Sequence, residues 1–136
     1  MHNHKQRGFT LIELLVVLVL ISLLAGLVGP QLFNQVGSSK TKVAGAQIEL
    51  LTSALNTYRL DLGEYPSTEQ GLKVLMENSG DSSMWNGPYL AKAIPLDPWN
   101  RPYHYELKAN YQFALYTLGR DNKPGGEGED QDVGIK

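Results

Sequence analysis

Acidic residues occur at two places in the sequence where their carboxylates could bind a positively charged group, a role that the packing of the fold does not require. Glu13 carries the only charge between Phe9 and Gly29, in a segment that is otherwise almost entirely apolar. A carboxylate in such a place can pair with a cation that is also removed from water. Five further carboxylates fall within the twelve residues from Asp121 to Asp132. Calcium prefers oxygen donors from a flexible loop, so this second group could hold a cation.

Glu13 is by default a functional residue, because an ionised side chain at membrane depth costs on the order of 2 to 3 kcal/mol or more. It also lies about one turn from the expected start of a helix. There its side chain could extend to the lipid headgroups and interact favourably with the positive end of the helix dipole. The residues alone leave both interpretations open.

Residues 9–30 are predicted to form a transmembrane helix, the element that would position Glu13. About 20 apolar residues span the hydrocarbon of a bilayer, where backbone groups must be satisfied within the segment. A chain of 136 residues is too short to enclose a helix that is apolar on all faces. A secretory signal peptide would have a shorter apolar region with its cleavage site after it. Lys5 and Arg7 favour a cytoplasmic N-terminus and an exported C-terminal domain.

Residues 31–63 are predicted to continue the helix in amphipathic form. Gly63 stands where a helix C-terminal glycine belongs, and Pro66 prevents the helix from resuming. Pro30 would either loosen the preceding turn or only kink the helix, and both interpretations remain. One apolar stripe recurs at helical spacing, formed by Ala44, Ile48, Leu51, Leu55, Tyr58 and Leu62.

Residues 64–136 are predicted to form a small globular domain, which makes the chain an α+β protein. A short helix is expected over residues 68–76, with Leu72, Leu75 and Met76 facing inward. Alternating segments at 103–107 and 111–117 predict a β-hairpin, in a sheet of two or three strands. Loops rich in aromatic residues and proline should cover the core. Packing is the favoured role for Trp85 and Trp99, although carbohydrate binding is also possible.

The composition excludes several functions. The chain contains no cysteine, so it has no disulfide, zinc–thiolate site or cysteine nucleophile. Its net charge of −2 includes no basic patch of the kind that nucleic acid requires. His104 has no nucleophile or orienting carboxylate beside it, and His2 and His4 lack a third metal ligand. We therefore predict that the protein is not an enzyme.

Residues 118–133 form an acidic loop that is also rich in glycine. Glycine lets the backbone turn its carbonyl oxygens inward, and without a cation the acids would repel one another. An EF-hand is rejected, because Lys123 and Gly125 would occupy ligand positions and no flanking helices are predicted. The remaining alternatives are a calcium loop and a solvated acidic tail.

The residues Arg7–Glu13 resemble the type III signal of type IV pilins and pseudopilins. This resemblance implies that a prepilin peptidase cleaves between Gly8 and Phe9 and that the new amine of Phe9 is N-methylated. It also implies that Glu13 of one subunit pairs with the Phe9 amine of its neighbour during assembly. Cleavage would remove the basic leader, residues 1–8.

Three further segments resemble the major pseudopilins of type II secretion systems. They are residues 69–72 after a Tyr65–Pro66 turn, residues 97–100, and the acidic loop. The resemblance implies a pilin-like fold and a structural subunit that polymerises from the inner membrane into a periplasmic fibre driving protein export. It implies as partners further copies of the chain, minor pseudopilins, the prepilin peptidase, the inner-membrane assembly platform and, before assembly, lipid. The alternatives are a type IV pilin of a surface fibre, which usually has a C-terminal disulfide, and a bitopic protein with a ligand-binding domain.

The same resemblance implies a calcium site in the acidic loop. The family's aspartates fall on Asp121, Asp130 and Asp132, and the Leu118 carbonyl is a further expected ligand. Asn100 replaces the glycine of the family's Asp-Pro-Trp-Gly turn, and asparagine tolerates the positive φ that such a turn needs. Less certain ligands are Arg120, Glu129 and Val133.

Overall fold

The computed structural model describes residues 7–136, and the leader residues His2, His4 and Lys5 lie outside this range. The described chain begins with a helix, α1 (Leu11–Leu62), followed by a 3₁₀ helix (Gly71–Leu75). An antiparallel sheet follows, with strands in the order β1 (His104–Lys108), β2 (Gln112–Thr117) and β3 (Val133–Ile135). A short 3₁₀ turn (Gly128–Asp130) precedes β3. The α+β prediction is thereby confirmed. The chain divides into two compact units, one ending at Val36 and one comprising Gly37–Lys136.

The first unit is the apolar part of α1. An 18-residue window within the helix has a mean hydropathy of 3.0, and none of that window is buried. By length and composition α1 can therefore cross a membrane. The helix runs through Pro30 without a break.

The second unit has its core on the predicted stripe of α1. Leu51 and Leu55 are fully buried, and they belong to one cluster with Leu75 and Leu115. Gly63 ends the helix with a φ of +88°, and its N–H donates to the Arg59 carbonyl at 2.7 Å. The predicted C-terminal glycine is confirmed. The other buried members of the stripe are Ala44, Ile48 and Tyr58.

The short second helix is a 3₁₀ helix and starts later than predicted. Gly71 adopts a φ of +61°, which an α-helix cannot continue through. A reciprocal pair of hydrogen bonds between Ser67 and Gln70 precedes it, at 2.9 and 3.1 Å. Leu75 is buried as predicted, and Val74, which the prediction missed, is buried too. The predicted Leu72 and Met76 are only partly buried against the core.

The β1–β2 hairpin confirms the predicted pairing. Lys108 pairs with Gln112, and the turn between them places Asn110 and Tyr111 at positive φ. The third strand, β3, pairs with β2 so that Leu115 lies opposite Ile135. This pairing anchors the C-terminal end of the acidic loop on the sheet.

The aromatic loops are held by hydrogen bonds to the core. Trp85 donates from Nε1 to the Val74 carbonyl at 2.8 Å. Asp97 is 3% exposed, and its Oδ1 accepts from the backbone N–H groups of Trp99 and Arg101. Asn100 has the positive φ expected of it, +62°. Trp85 is partly buried against the core cluster, which is the packing role that the sequence favoured for it, and Asp97 fixes the backbone of Trp99.

Candidate functional site

The N-terminal site begins with an exposed Gly8–Phe9 peptide bond just ahead of α1. Both residues lie in non-helical backbone, and Phe9 is 84% exposed. A Cβ built on Gly8 would meet no atom within 4 Å, so the space around it is open. This geometry leaves the bond accessible to another protein.

Glu13 has partners within its own chain. The Glu13 N–H donates to Thr10 Oγ1 at 3.3 Å, and the Thr10 N–H donates to Glu13 Oε2 at 3.4 Å. The two residues therefore form a capping box, which satisfies two backbone donors at the start of α1. Sequence reasoning missed Thr10, although a threonine three residues before a glutamate is the pattern of this motif. Within one subunit, Glu13 thus caps the first turn of α1.

Two glycines shape the acidic loop at points of close backbone approach. A Cβ on Gly119 would lie 2.6 Å from the Gln131 carbonyl oxygen, and φ is +75°. A Cβ on Gly126 would lie 2.6 Å from the Asp130 carbonyl oxygen, and φ is +96°. Only glycine permits this approach, which brings the backbone carbonyl groups of residues 129–131 close to Gly119 and Gly126.

The predicted aspartate ligands each have a partner from the chain. Asp121 Oδ1 accepts from the Lys123 N–H at 3.1 Å. Asp130 is bound by the guanidinium of Arg120, whose hydrogen bonds and charge lower the pKa of this carboxyl. Asp132 Oδ2 accepts from the Gly125 N–H and from the Lys136 ammonium, and these two bonds lower its pKa.

The predicted carbonyl ligands, Leu118, Arg120 and Val133, lie near the two ends of the acidic loop. Arg101 donates to the carbonyl oxygens of Gly119 and Arg120, the latter at 3.0 Å. Val133 begins β3 opposite Thr117, the last residue of β2 and the residue before Leu118. The Arg120 carbonyl, one of the less certain ligands, already accepts a hydrogen bond from Arg101.

The oxygen atoms of the acidic loop are of the type that calcium prefers as ligands. The donors are carboxylates and carbonyls, and Asp132 Oδ1 is a buried oxygen without a hydrogen-bond partner. Such an atom is costly to leave unpaired, so a bound cation would stabilise it. Within residues 7–136, however, no three carboxylate or imidazole side chains are close enough to form a preassembled metal cluster.

Glu129 connects the acidic loop to two other elements. Its Oε1 accepts from Trp99 Nε1 at 3.0 Å. A Cβ on Gly37 of α1 would lie 2.7 Å from Glu129 Oε2. The sequence named Glu129 only as a less certain ligand and did not single out Gly37. No local pattern signals such a contact between residues 92 positions apart in the chain.

Two protein-family models match the chain and together cover nearly all of it. The model described as "Type II secretion system (T2SS), protein G" matches residues 31–136. The prokaryotic N-terminal methylation motif matches residues 3–29. The second match contains the signal-like residues and the Gly8–Phe9 bond.

Individual relatives agree with these matches. The type II secretion system core protein G of Pseudomonas aeruginosa is 41% identical over 138 residues, covering 98% of this chain and 97% of its own. The Vibrio cholerae core protein G is 37% identical, covering 96% of this chain and 91% of its own. The crystal structure of the major pseudopilin of enterohaemorrhagic Escherichia coli superposes with a TM-score of 0.59 and 28% identity. It covers 77% of this chain and 93% of the crystallised one.

Proposed function

The chain belongs to the protein G family of the type II secretion system, and we propose that it polymerises from the inner membrane into a periplasmic fibre that drives folded proteins across the outer membrane. The family consists of pseudopilin structural subunits. The relatives do not favour a type IV pilin of a surface fibre or a bitopic ligand-binding protein.

One observation carries this proposal, the apolar half of α1. Leu11 is 86% exposed, Phe9 is 84% exposed and Leu27 is 68% exposed, so a single subunit leaves this surface without protein cover. Such a surface needs either lipid or the same segment of other subunits. A subunit that waits in the bilayer and then exchanges lipid for neighbouring helices meets both needs.

Processing would prepare the subunit for that exchange. A prepilin peptidase would cleave between Gly8 and Phe9, and the new Phe9 amine would be methylated. The resulting cation would pair with Glu13 of a neighbouring subunit, since an unpaired charge removed from water is costly. The further partners would be minor pseudopilins and the inner-membrane assembly platform, with the C-terminal domain in the periplasm.

The acidic loop would bind calcium and so stabilise the globular unit. Calcium would supply a divalent positive charge to ligands from Asp121, Asp130, Asp132 and the Leu118 carbonyl. The buried, unpartnered Oδ1 of Asp132 supports this proposal. The glycines at 119 and 126 would keep the surrounding carbonyl groups close together.

Two measurements test the proposal. Mass spectrometry of the membrane-extracted protein should find a chain that begins with N-methylated Phe9, and an intact Met1 would contradict the processing step. Electron microscopy of the overexpressed protein, in a host with a matching assembly apparatus, should show fibres. Processed protein that never polymerises there would overturn the proposed function.

A further inference from the structure

The acidic loop already contains a cation, the guanidinium of Arg120. Arg120 Nε donates to Asp130 Oδ1 at 2.8 Å, and Nη2 donates to Asp130 Oδ2 at 3.0 Å. This two-pronged geometry is the strongest form of an arginine–carboxylate pair. The remaining nitrogen, Nη1, lies 3.3 Å from Glu129 Oε2. One side chain thus contacts two acids of the loop and offsets one of their two negative charges.

The surrounding structure holds this ion pair in place. The Arg120 N–H donates to the Glu129 carbonyl at 3.0 Å, which fixes the two segments side by side. The Glu129 carboxylate is itself held by Trp99 Nε1. The side chains of Glu129 and Asp130 are 19% and 31% exposed, so neither acid is fully solvated.

We propose that Arg120 is the resident counter-ion of Asp130, as Lys136 is of Asp132, and that calcium can take the Asp130 carboxylate only by displacing Arg120. This inference rests on the calcium site of the proposed function. Both oxygens of Asp130 already accept from the guanidinium. A divalent cation on the same carboxylate would lie close to a second positive charge, and the two cations would repel each other.

Two consequences follow for the loop. In the absence of calcium, the Arg120–Asp130 pair keeps the two segments together and limits the repulsion among the acids. When calcium binds, the pair must break, and the free energy of breaking it makes the binding free energy of calcium less favourable. Arg120 would therefore make the globular unit less dependent on calcium and would weaken its calcium binding.

The experiment compares R120Q with wild type and with K73Q, all as processed full chains in detergent. Lys73 forms an exposed ion pair with Glu77 at 3.4 Å, so K73Q removes the same charge outside the loop. Calcium binding is measured by calorimetric titration with calcium chloride. Thermal unfolding is followed by tryptophan fluorescence in chelator. R120K, which keeps the charge but loses the two-pronged geometry, replaces R120Q if that variant does not fold.

R120Q should bind calcium about twofold to fivefold more tightly than wild type, which is the change in affinity expected from the loss of one exposed ion pair. It should also unfold at a lower temperature than K73Q in chelator, and R120K should be intermediate in both measurements. Equal calcium affinities for R120Q, K73Q and wild type would overturn this inference alone. If no variant binds calcium, the calcium site itself is wrong, and displacement at Asp130 is overturned with it. Equal unfolding temperatures in chelator would overturn the resident role of Arg120.

Discussion

The carboxylate of Glu129 packs directly against the backbone of Gly37 in α1. A Cβ at Gly37 would lie 2.7 Å from Glu129 Oε2, 3.2 Å from Cδ and 3.3 Å from Cβ. Gly37 is buried, and the same carboxylate accepts from Trp99 Nε1 at 3.0 Å. The absence of a side chain at Gly37 thus lets the acidic loop and the Trp99 loop meet at the helix.

Gly37→Ala should therefore destabilise the globular unit relative to a matched alanine elsewhere on α1. An added methyl group would displace the Glu129 side chain and break its bond to Trp99. Overpacking of this kind typically costs about 1 to 3 kcal/mol, which outweighs a gain of about 0.5 to 1 kcal/mol in helix propensity. Thermal unfolding followed by tryptophan fluorescence measures the effect, because Trp85 and Trp99 both lie in the second unit.

Gly45→Ala is the control, since a Cβ at Gly45 would meet no atom within 4 Å. It should stabilise α1 by about 0.5 to 1 kcal/mol. A Glu129→Ala background removes the two nearest atoms, Oε2 and Cδ, so the difference between the two glycine substitutions should become smaller there. A Gly37→Ala variant as stable as Gly45→Ala with Glu129 in place would show that the contact carries no energy.

The sequence predicted those features that depend on local periodicity and backbone conformation. The α1 stripe follows from the spacing of Leu51 and Leu55, and the end of the helix follows from Gly63. The positive φ of Asn100 follows from the turn in which it lies. Each of these features is determined by a few neighbouring residues, so a single sequence is sufficient to find it.

The contacts within the acidic loop could not be predicted in the same way. The sequence identified the loop and its acids, but it treated Arg120 as a carbonyl ligand and not as a cation. The partner of Arg120 is ten residues away and depends on how Gly119 and Gly126 fold the loop. The positive φ of Gly71 likewise delays the start of the predicted short helix, which forms as a 3₁₀ helix from residue 71.

Glu13→Gln distinguishes the two roles of Glu13 because glutamine at this position also completes a capping box with Thr10. If the neighbour's Phe9 amine needs a negative charge, both Glu13→Gln and Glu13→Ala should be processed normally and fail to form fibres. The measurement is mass spectrometry for processing, with electron microscopy for fibres in a host that has the assembly apparatus. Normal fibres from Glu13→Gln but not from Glu13→Ala would assign the residue to helix capping instead.

Chelation should lower the unfolding temperature of the globular unit if calcium occupies the acidic loop. A ligand present at about 100 times its dissociation constant stabilises the folded state by roughly 2.7 kcal/mol. Asp121→Ala should remove most of this sensitivity, because it deletes a proposed ligand whose Oδ1 accepts one hydrogen bond, from the Lys123 N–H. Wild-type unfolding curves that coincide in calcium and in chelator would identify the loop as a solvated acidic tail.

Tyr105→Phe should change how stability depends on pH in the alkaline range. The Tyr105 hydroxyl donates to the Pro66 carbonyl at 2.7 Å. Burial is the main cause that raises the pKa of Tyr105 in the folded state, and the charges of the nearby Tyr58 and Tyr65 raise it further. The folded state therefore holds this proton more tightly than the unfolded state, in which tyrosine has a pKa of about 10. The resulting stability is fully present below about pH 10 and is lost as the pH rises through the folded-state value.

Below pH 10, Tyr105→Phe should thus be less stable than wild type by about 1 kcal/mol, since the Pro66 carbonyl loses its donor. Above pH 10 the phenylalanine has no proton to lose, so the variant's stability should fall less steeply and the two curves should converge. Urea unfolding at a series of pH values from 8 to about 11.5 measures both effects. Tyr111→Phe, at a position that is 66% exposed, should follow the wild-type curve throughout. Parallel curves for Tyr105→Phe and wild type above pH 10 would mean that the buried hydroxyl does not contribute to alkaline unfolding.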